Sequence, residues 1–226
     1  MFPLRDANPT RHVPVVTITL ILLNVLMWLY ELLLMGSGHF EQSIMQMALV
    51  PSEFTQHFGP EAVVDLFRSM FMHAGWVHLI GNMWYLWLFG DNVEDSIGWF
   101  GFLVFYLICG VAAGLAQVVL SPNSSIPLIG ASGAIAGVLG AYLVRFPKAR
   151  VLTVLTLGWY IRLAEIPALY VLGFWFVLQL LSSVASIGIP QQGGVAYFAH
   201  IGGFVAGLVM MWIFARRPAA DTHYLD

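Results

Sequence analysis

Six separate apolar stretches, each close to the roughly 20 residues that a helix needs to cross a hydrocarbon core, constrain this chain more than any other feature. They fall at about 13–36, 73–90, 97–120, 127–145, 166–187 and 196–215. Only 9% of the 226 residues are charged and 59% are hydrophobic, whereas a soluble domain carries about a quarter charged residues. The pattern predicts an all-α integral membrane protein, a six-transmembrane-helix bundle forming one domain over 1–226. The first stretch is too long for a signal-peptide core and lacks a small-residue cleavage site, so it is expected to be retained.

The nine Lys and Arg residues set the orientation. Arg5 and Arg11 precede the first span, Arg145, Lys148, Arg150 and Arg162 lie between the fourth and fifth, and Arg216 and Arg217 follow the sixth. Only Arg68 falls on the opposite side, and the positive-inside bias therefore places both termini in the cytoplasm. The acidic "DNVEDS" at 91–96 reads as a short cytoplasmic loop whose Asp91, Glu94 and Asp95 cap the third helix. A net charge of −3, without a basic cluster, gives no reason to expect nucleic acid as a partner. Cys109 is alone, which excludes a disulfide framework and a cysteine metal cluster.

Two connections stand out. Residues 37–72 form a long first outer loop, in which "PEAVVDLFRSMFMHAGW" predicts a short interfacial helix begun by Pro60. Segment 151–165, "VLTVLTLGWYIRLAE", is apolar but short and broken by Arg162. It reads as an interfacial excursion, with a seventh span as the alternative.

Polar residues inside apolar spans are costly and mark candidate sites, although hydrogen bonding between helices is the plainer explanation for any one of them. They concentrate in "HLIGN" of the second span, "GASGAIAG" of the fourth and "AHIGGFVAG" of the sixth. Running in the same direction, these spans place His78, Ser132 and His200 near the outer ends of their helices. Asn82, four residues after His78, shares its helix face. Gly133 and Gly137 form one G-x-x-x-G ridge and Gly203 and Gly207 another, which allows the fourth and sixth backbones to approach closely.

A serine hydroxyl becomes a nucleophile when a neutral imidazole within hydrogen-bond reach takes its proton. The backbone N–H of Ser132 and the side chains of His78 and Asn82 can supply donors for the developing oxyanion. No acidic residue lies near His200 in these spans, so the expected unit is a Ser–His dyad. His73 lacks the spacing of a metal-binding pair with His78 and is expected to hydrogen-bond within the outer loop.

The ordered motifs "FMHAGWVHLIGNM", "GASG" and "AHIGGFVAG", together with "DNVEDSIG" and "FPKARV", resemble the rhomboid family of intramembrane serine proteases over residues 45–215. The resemblance is to the six-span core of the prokaryotic type, which implies a multi-pass protein of the plasma (inner) membrane with a membrane-dipping first outer loop. It implies Ser132 as nucleophile, His200 as general base, His78 and Asn82 as oxyanion-stabilising residues, and Gly130 and Gly133 as shaping the nucleophile's backbone. It implies no metal or cofactor. The implied partners are the lipid bilayer and single-span or multi-span membrane protein substrates cut near the outer surface, with the oligomeric state open. An inactive scaffold of the same family, or a transporter, remains an alternative.

Two departures from the family pattern carry expectations of their own. Some members have a Trp-Arg pair in the first outer loop where this chain has Phe67-Arg68. Some have a tyrosine four residues after the nucleophile, where this chain has Ala136. Support for the His200 ring is therefore expected from elsewhere, such as an aromatic on another span. The "FWF" run at 174–176 reads as lipid-facing or packing residues.

Overall fold

The computed structural model describes residues 1–157, 159–186 and 196–215. The elements run in order β1 (Phe2–Asp6), α1 (Val15–Gly36), α2 (Phe40–Met47), α3 (Pro51–Gln56), α4 (Pro60–Arg68), α5 (Trp76–Ile97), α6 (Trp99–Leu120) and α7 (Ser132–Arg145). They continue with β2 (Arg150–Leu157), β3 (Tyr160–Pro167), α8 (Ala168–Ser186) and α9 (Tyr197–Ala215). Arg216, Arg217 and the expected end of the fifth span at 187 lie outside the described residues.

Among the described residues, four helices (α1, α6, α8 and α9) are long and apolar enough to cross a membrane. The protein is thus a multi-pass, mostly helical membrane protein. Helix α5 has 22 residues but carries Asp91, Glu94 and Asp95 towards its end. Helix α7 has 14 residues, about 21 Å at 1.5 Å per residue, and forms the middle of the bundle. From Gly133 to Tyr142 every residue of α7 is buried.

The expected fourth span, 127–145, is only partly helical. Residues 127–131 are irregular, because Leu128 exchanges backbone hydrogen bonds with Leu49 at 3.2 and 2.8 Å and Gly130 N–H donates to Ser69 C=O at 2.8 Å. Irregular backbone at membrane depth is tolerated where protein groups satisfy it, and here the segment between α1 and α5 does so. Helix α4 begins at Pro60, with the proline in its first turn where a missing N–H costs nothing. Arg68 closes α4 on itself, donating to Glu61 at 2.6 Å, to Asp65, and to the Gln46 carbonyl at 3.1 Å.

The all-α expectation is wrong in one region. Strands β1, β2 and β3 form an antiparallel sheet in that order, with β2 and β3 paired from Arg150↔Pro167 to Leu157↔Tyr160. Segment 151–165 is therefore neither a seventh span nor a helix. Its Val and Thr residues favour extended backbone, and each strand satisfies its neighbour's backbone groups. Residues 2–6 add a third strand by pairing with 151–154, which ties the N-terminal segment to the connection between α7 and α8. Asp6 reinforces the tie by accepting from the Tyr142 hydroxyl at 2.8 Å. Burial raises the Asp6 carboxyl above its ordinary value, with that hydrogen bond opposing.

The acidic run also differs from expectation. Residues 91–96 belong to α5, which ends at Gly98 with φ 78°, a left-handed conformation that glycine adopts without a steric cost. The carboxylates there cap the first helix, not the third. Glu94 accepts from the backbone N–H of Val16 at 2.9 Å and of Thr17 at 2.8 Å, and from the Thr17 hydroxyl at 2.8 Å. These are donors that the start of α1 leaves without intrahelical partners, and a carboxylate there contributes about 0.5–2 kcal/mol. Asp95 accepts from Arg11 N–H at 3.3 Å and pairs with His12 Nδ1 at 2.7 Å.

Candidate active site

Helices α7 and α9 are placed by backbone contact. A methyl group added at Gly203 would run into the carbonyl oxygen of Gly133, and one added at Gly207 into that of Gly137. Gly133 and Gly137 of α7 make room for a second neighbour as well. A Cβ at Gly133 would lie 2.5 Å from the Ala113 Cβ and one at Gly137 2.5 Å from the Cys109 Cβ, both on α6. The two G-x-x-x-G ridges therefore meet backbone to backbone, with Gly133 and Gly137 also admitting α6 and Gly140 of α7 lying against the Phe204 carbonyl of α9.

Ser132 is the first residue of α7 and His200 the fourth of α9. His200 Nε2 lies 2.7 Å from Ser132 Oγ. The other ring nitrogen, Nδ1, lies 2.8 Å from Oε1 of Gln179 on α8. Because an amide oxygen only accepts, Nδ1 carries the proton and donates to it. That leaves Nε2 as the acceptor of the Ser132 hydroxyl. The Trp175 ring, also on α8, packs against the imidazole with centroids 5.8 Å apart at 34°. Trp175 thus supplies the aromatic neighbour to the ring that Ala136 does not.

Helix α5 brings His78 and Asn82 to the same place. Gly130 has φ 120°, and a Cβ there would meet His78 Nε2 at 2.6 Å, so the strand-like approach to Ser132 leaves room for the imidazole. His78 Nδ1 accepts weakly from Ala74 N–H at 3.4 Å. Asn82 is buried and donates one amide hydrogen to His73 Nε2 at 3.0 Å. His73 is held in turn, with Nδ1–H donating to Phe71 C=O at 3.2 Å and its backbone N–H to the Glu31 carboxyl at 3.2 Å. His73 therefore hydrogen-bonds within the connection between α1 and α5, as its spacing suggests, and orients Asn82. Since α7 starts at Ser132, the N–H of that residue has no intrahelical acceptor and sits at the positive end of the helix dipole.

Ser132, His200, His78, Asn82 and Trp175 all line one cavity of about 1130 Å³. Residues 126–129 before α7 and Phe40, Ile44 and Trp76 supply apolar walls. The arrangement can deprotonate a serine, present it to a carbonyl carbon, and offer nearby N–H groups to a carbonyl oxygen.

The sequence matches the Rhomboid domain over residues 60–217. The chain belongs to the rhomboid family. Among curated rhomboid relatives, it is 29% identical over 184 residues to Rhomboid-like protein 11, chloroplastic, of Arabidopsis thaliana, covering 78% of this chain and 61% of that protein. It is 34% identical over 156 residues to Rhomboid protease GluP of Bacillus subtilis, covering 67% and 28%. With Rhomboid protein 1, mitochondrial, of Saccharomyces cerevisiae it shares 29% over 160 residues, covering 68% and 42%. The chain spans between 28% and 61% of the length of these rhomboid proteins.

Sequence reasoning missed Gln179 and set Trp175 aside as packing. A signal was present: Gln179 is an amide in the middle of an apolar span, the kind of residue that merits a functional hypothesis, and it follows Trp175 by one helical turn. Phe176 is a packing residue, stacked on Phe204 at 4.4 Å, and Phe174 is 46% exposed.

Proposed function

We propose that this rhomboid protein is an intramembrane serine protease that hydrolyses peptide bonds in or near the transmembrane segments of other membrane proteins. The 2.7 Å approach of His200 Nε2 to Ser132 Oγ carries this reading. A general base must lie within about 2.6–3.2 Å of the proton it removes. Ser132 Oγ attacks the scissile carbonyl as His200 takes its proton. The negative charge that develops on the carbonyl oxygen is met by the N–H of Ser132, by His78, and by the amide hydrogen of Asn82 not given to His73. His200 then returns the proton to the leaving amine, and water repeats the sequence on the acyl-enzyme. The relative named a protease, Rhomboid protease GluP, supports the assignment.

The reading includes six spans, α1, α5, α6, α7, α8 and α9, with both termini in the cytoplasm and the cavity opening towards the outer side. The pairing of β1 with β2 supports it, because it brings Arg5 to the same end of the bundle as Arg150. Substrates are single-span or multi-span membrane proteins, whose unwound backbone enters the cavity.

A fluorophosphonate probe tests the proposal. The wild-type protein in detergent should carry one adduct, on Ser132, and labelling should fall sharply in His200→Ala. An adduct on another serine, or none, would remove the basis for the reading. Asn82→Ala is expected to lower the cleavage rate by about 10²–10³, the usual loss for one oxyanion donor, with KM little changed. A change confined to KM would reassign Asn82 to substrate binding.

A further inference from the structure

Helix α8 meets the reacting pair through one aromatic and one amide, and the amide has a chemical task. A neutral imidazole exists as two tautomers, and only the one protonated at Nδ1 leaves Nε2 free to accept from serine. With Nε2 protonated, the ring would point a donor at Ser132 Oγ and base catalysis would stop. His200 is 9% exposed, so bulk water is a poor means of choosing between the two forms. What faces Nδ1 is Gln179 Oε1 at 2.8 Å. Trp175, one turn away on the same helix, flanks the ring. Its neighbours Phe174, Val177 and Leu178 point outward, 46%, 49% and 42% exposed, so Trp175 and Gln179 lie on the inward face of α8, with the buried Ser183 one turn further along.

We infer that Gln179 is a positioning residue for the protease reaction, fixing the His200 tautomer and ring plane by accepting from Nδ1–H. The inference rests on the Ser132–His200 reading above. It makes the reacting unit a triad in geometry, with a neutral third member. An amide selects the tautomer as a carboxylate would but adds no negative charge beside the imidazolium that forms during attack. The base therefore depends on α8 for its protonation pattern, although α7 and α9 alone set its distance from the serine.

The test uses the full chain in proteoliposomes with a single-span model substrate, and ¹⁵N spectra of histidine-labelled protein in detergent. The chain has seven histidines, and the His200 signals are those lost in His200→Ala. Wild type should show His200 with Nδ1 protonated and Nε2 bare. Gln179→Met keeps the length of the side chain but removes the acceptor. It should let the Nε2–H form appear and lower kcat about 10- to 100-fold, part of the usual contribution of a well-placed base, with KM and the thermal midpoint unchanged. Gln179→Glu restores an acceptor oxygen at the same reach and should recover the wild-type tautomer and most of the rate. Wild-type kcat and tautomer in Gln179→Met would overturn the inference, as would a slow enzyme with an unaltered tautomer. Cleavage that persists in Ser132→Ala would instead overturn the protease reading, and the tautomer measurement stands apart from that result.

Discussion

Ser132→Ala and His200→Ala are each expected to stop cleavage of a single-span substrate in proteoliposomes, with kcat reduced on the order of 10⁴-fold or more. The two losses should not add. Without the serine there is no hydroxyl for the imidazole to deprotonate, and without the imidazole the hydroxyl stays a weak nucleophile, so the double variant should be no slower than either single one. Multiplicative losses would mean that the two residues act in separate steps, contrary to their direct contact at 2.7 Å. Substrate binding should survive all three changes. Most of the pocket wall comes from residues that neither substitution alters, among them Phe40, Ile44, Trp76 and residues 126–129. In acid the wild-type rate should fall as the imidazole becomes protonated and can no longer accept from serine. A rate that stayed flat through the titration of His200 would remove histidine as the base.

The second large effect is on stability. Gly207→Ala places a methyl group where the Gly137 carbonyl oxygen of α7 already sits. Backbone in a packed helix cannot rotate aside as a side chain would, so the cost falls at the upper end of overpacking penalties, about 3 kcal/mol. Gly173→Ala is the matched control, because a Cβ there meets nothing within 4 Å and alanine favours helix over glycine by about 1 kcal/mol. In detergent unfolding, Gly207→Ala should lower the midpoint clearly while Gly173→Ala leaves it unchanged or raises it. Gly207→Ala should also lose activity at temperatures where it remains folded, since a displacement of about 1 Å in a reacting pair can cost about 10² in rate. Equal midpoints for the two variants would show that α9 can move away from α7 freely.

The helical plan was legible because a long apolar run has few ways to satisfy its backbone in lipid, and because polar residues in such runs are conspicuous. His78, Asn82, Ser132 and His200 could be named before the fold was seen for that reason. The sheet was not legible. Apolar content alone cannot separate a strand from a short helix, and the pairing of residues 2–6 with 151–154 joins segments nearly 150 positions apart. The task of Glu94 was hidden in the same way. Its acidic neighbours sit beside α6 in sequence, but the donors that needed them are those of α1. Gln179 was visible as a polar residue in an apolar span, yet nothing local showed that it would face an imidazole 21 positions away.

The contact between α7 and α9 has a consequence for how such a protein can change. Alignment of the reacting pair rests on main-chain contact between α7 and α9, which any side chain at Gly203 or Gly207 would push apart. On the protease reading, selectivity falls to pieces outside that contact, namely the approach to α7 at 126–129 and the walls given by Phe40, Ile44 and Trp76. On that reading, a search for new cleavage specificity should randomise those walls and leave the glycines alone, because the chemistry will tolerate a different mouth but not a displaced contact between α7 and α9.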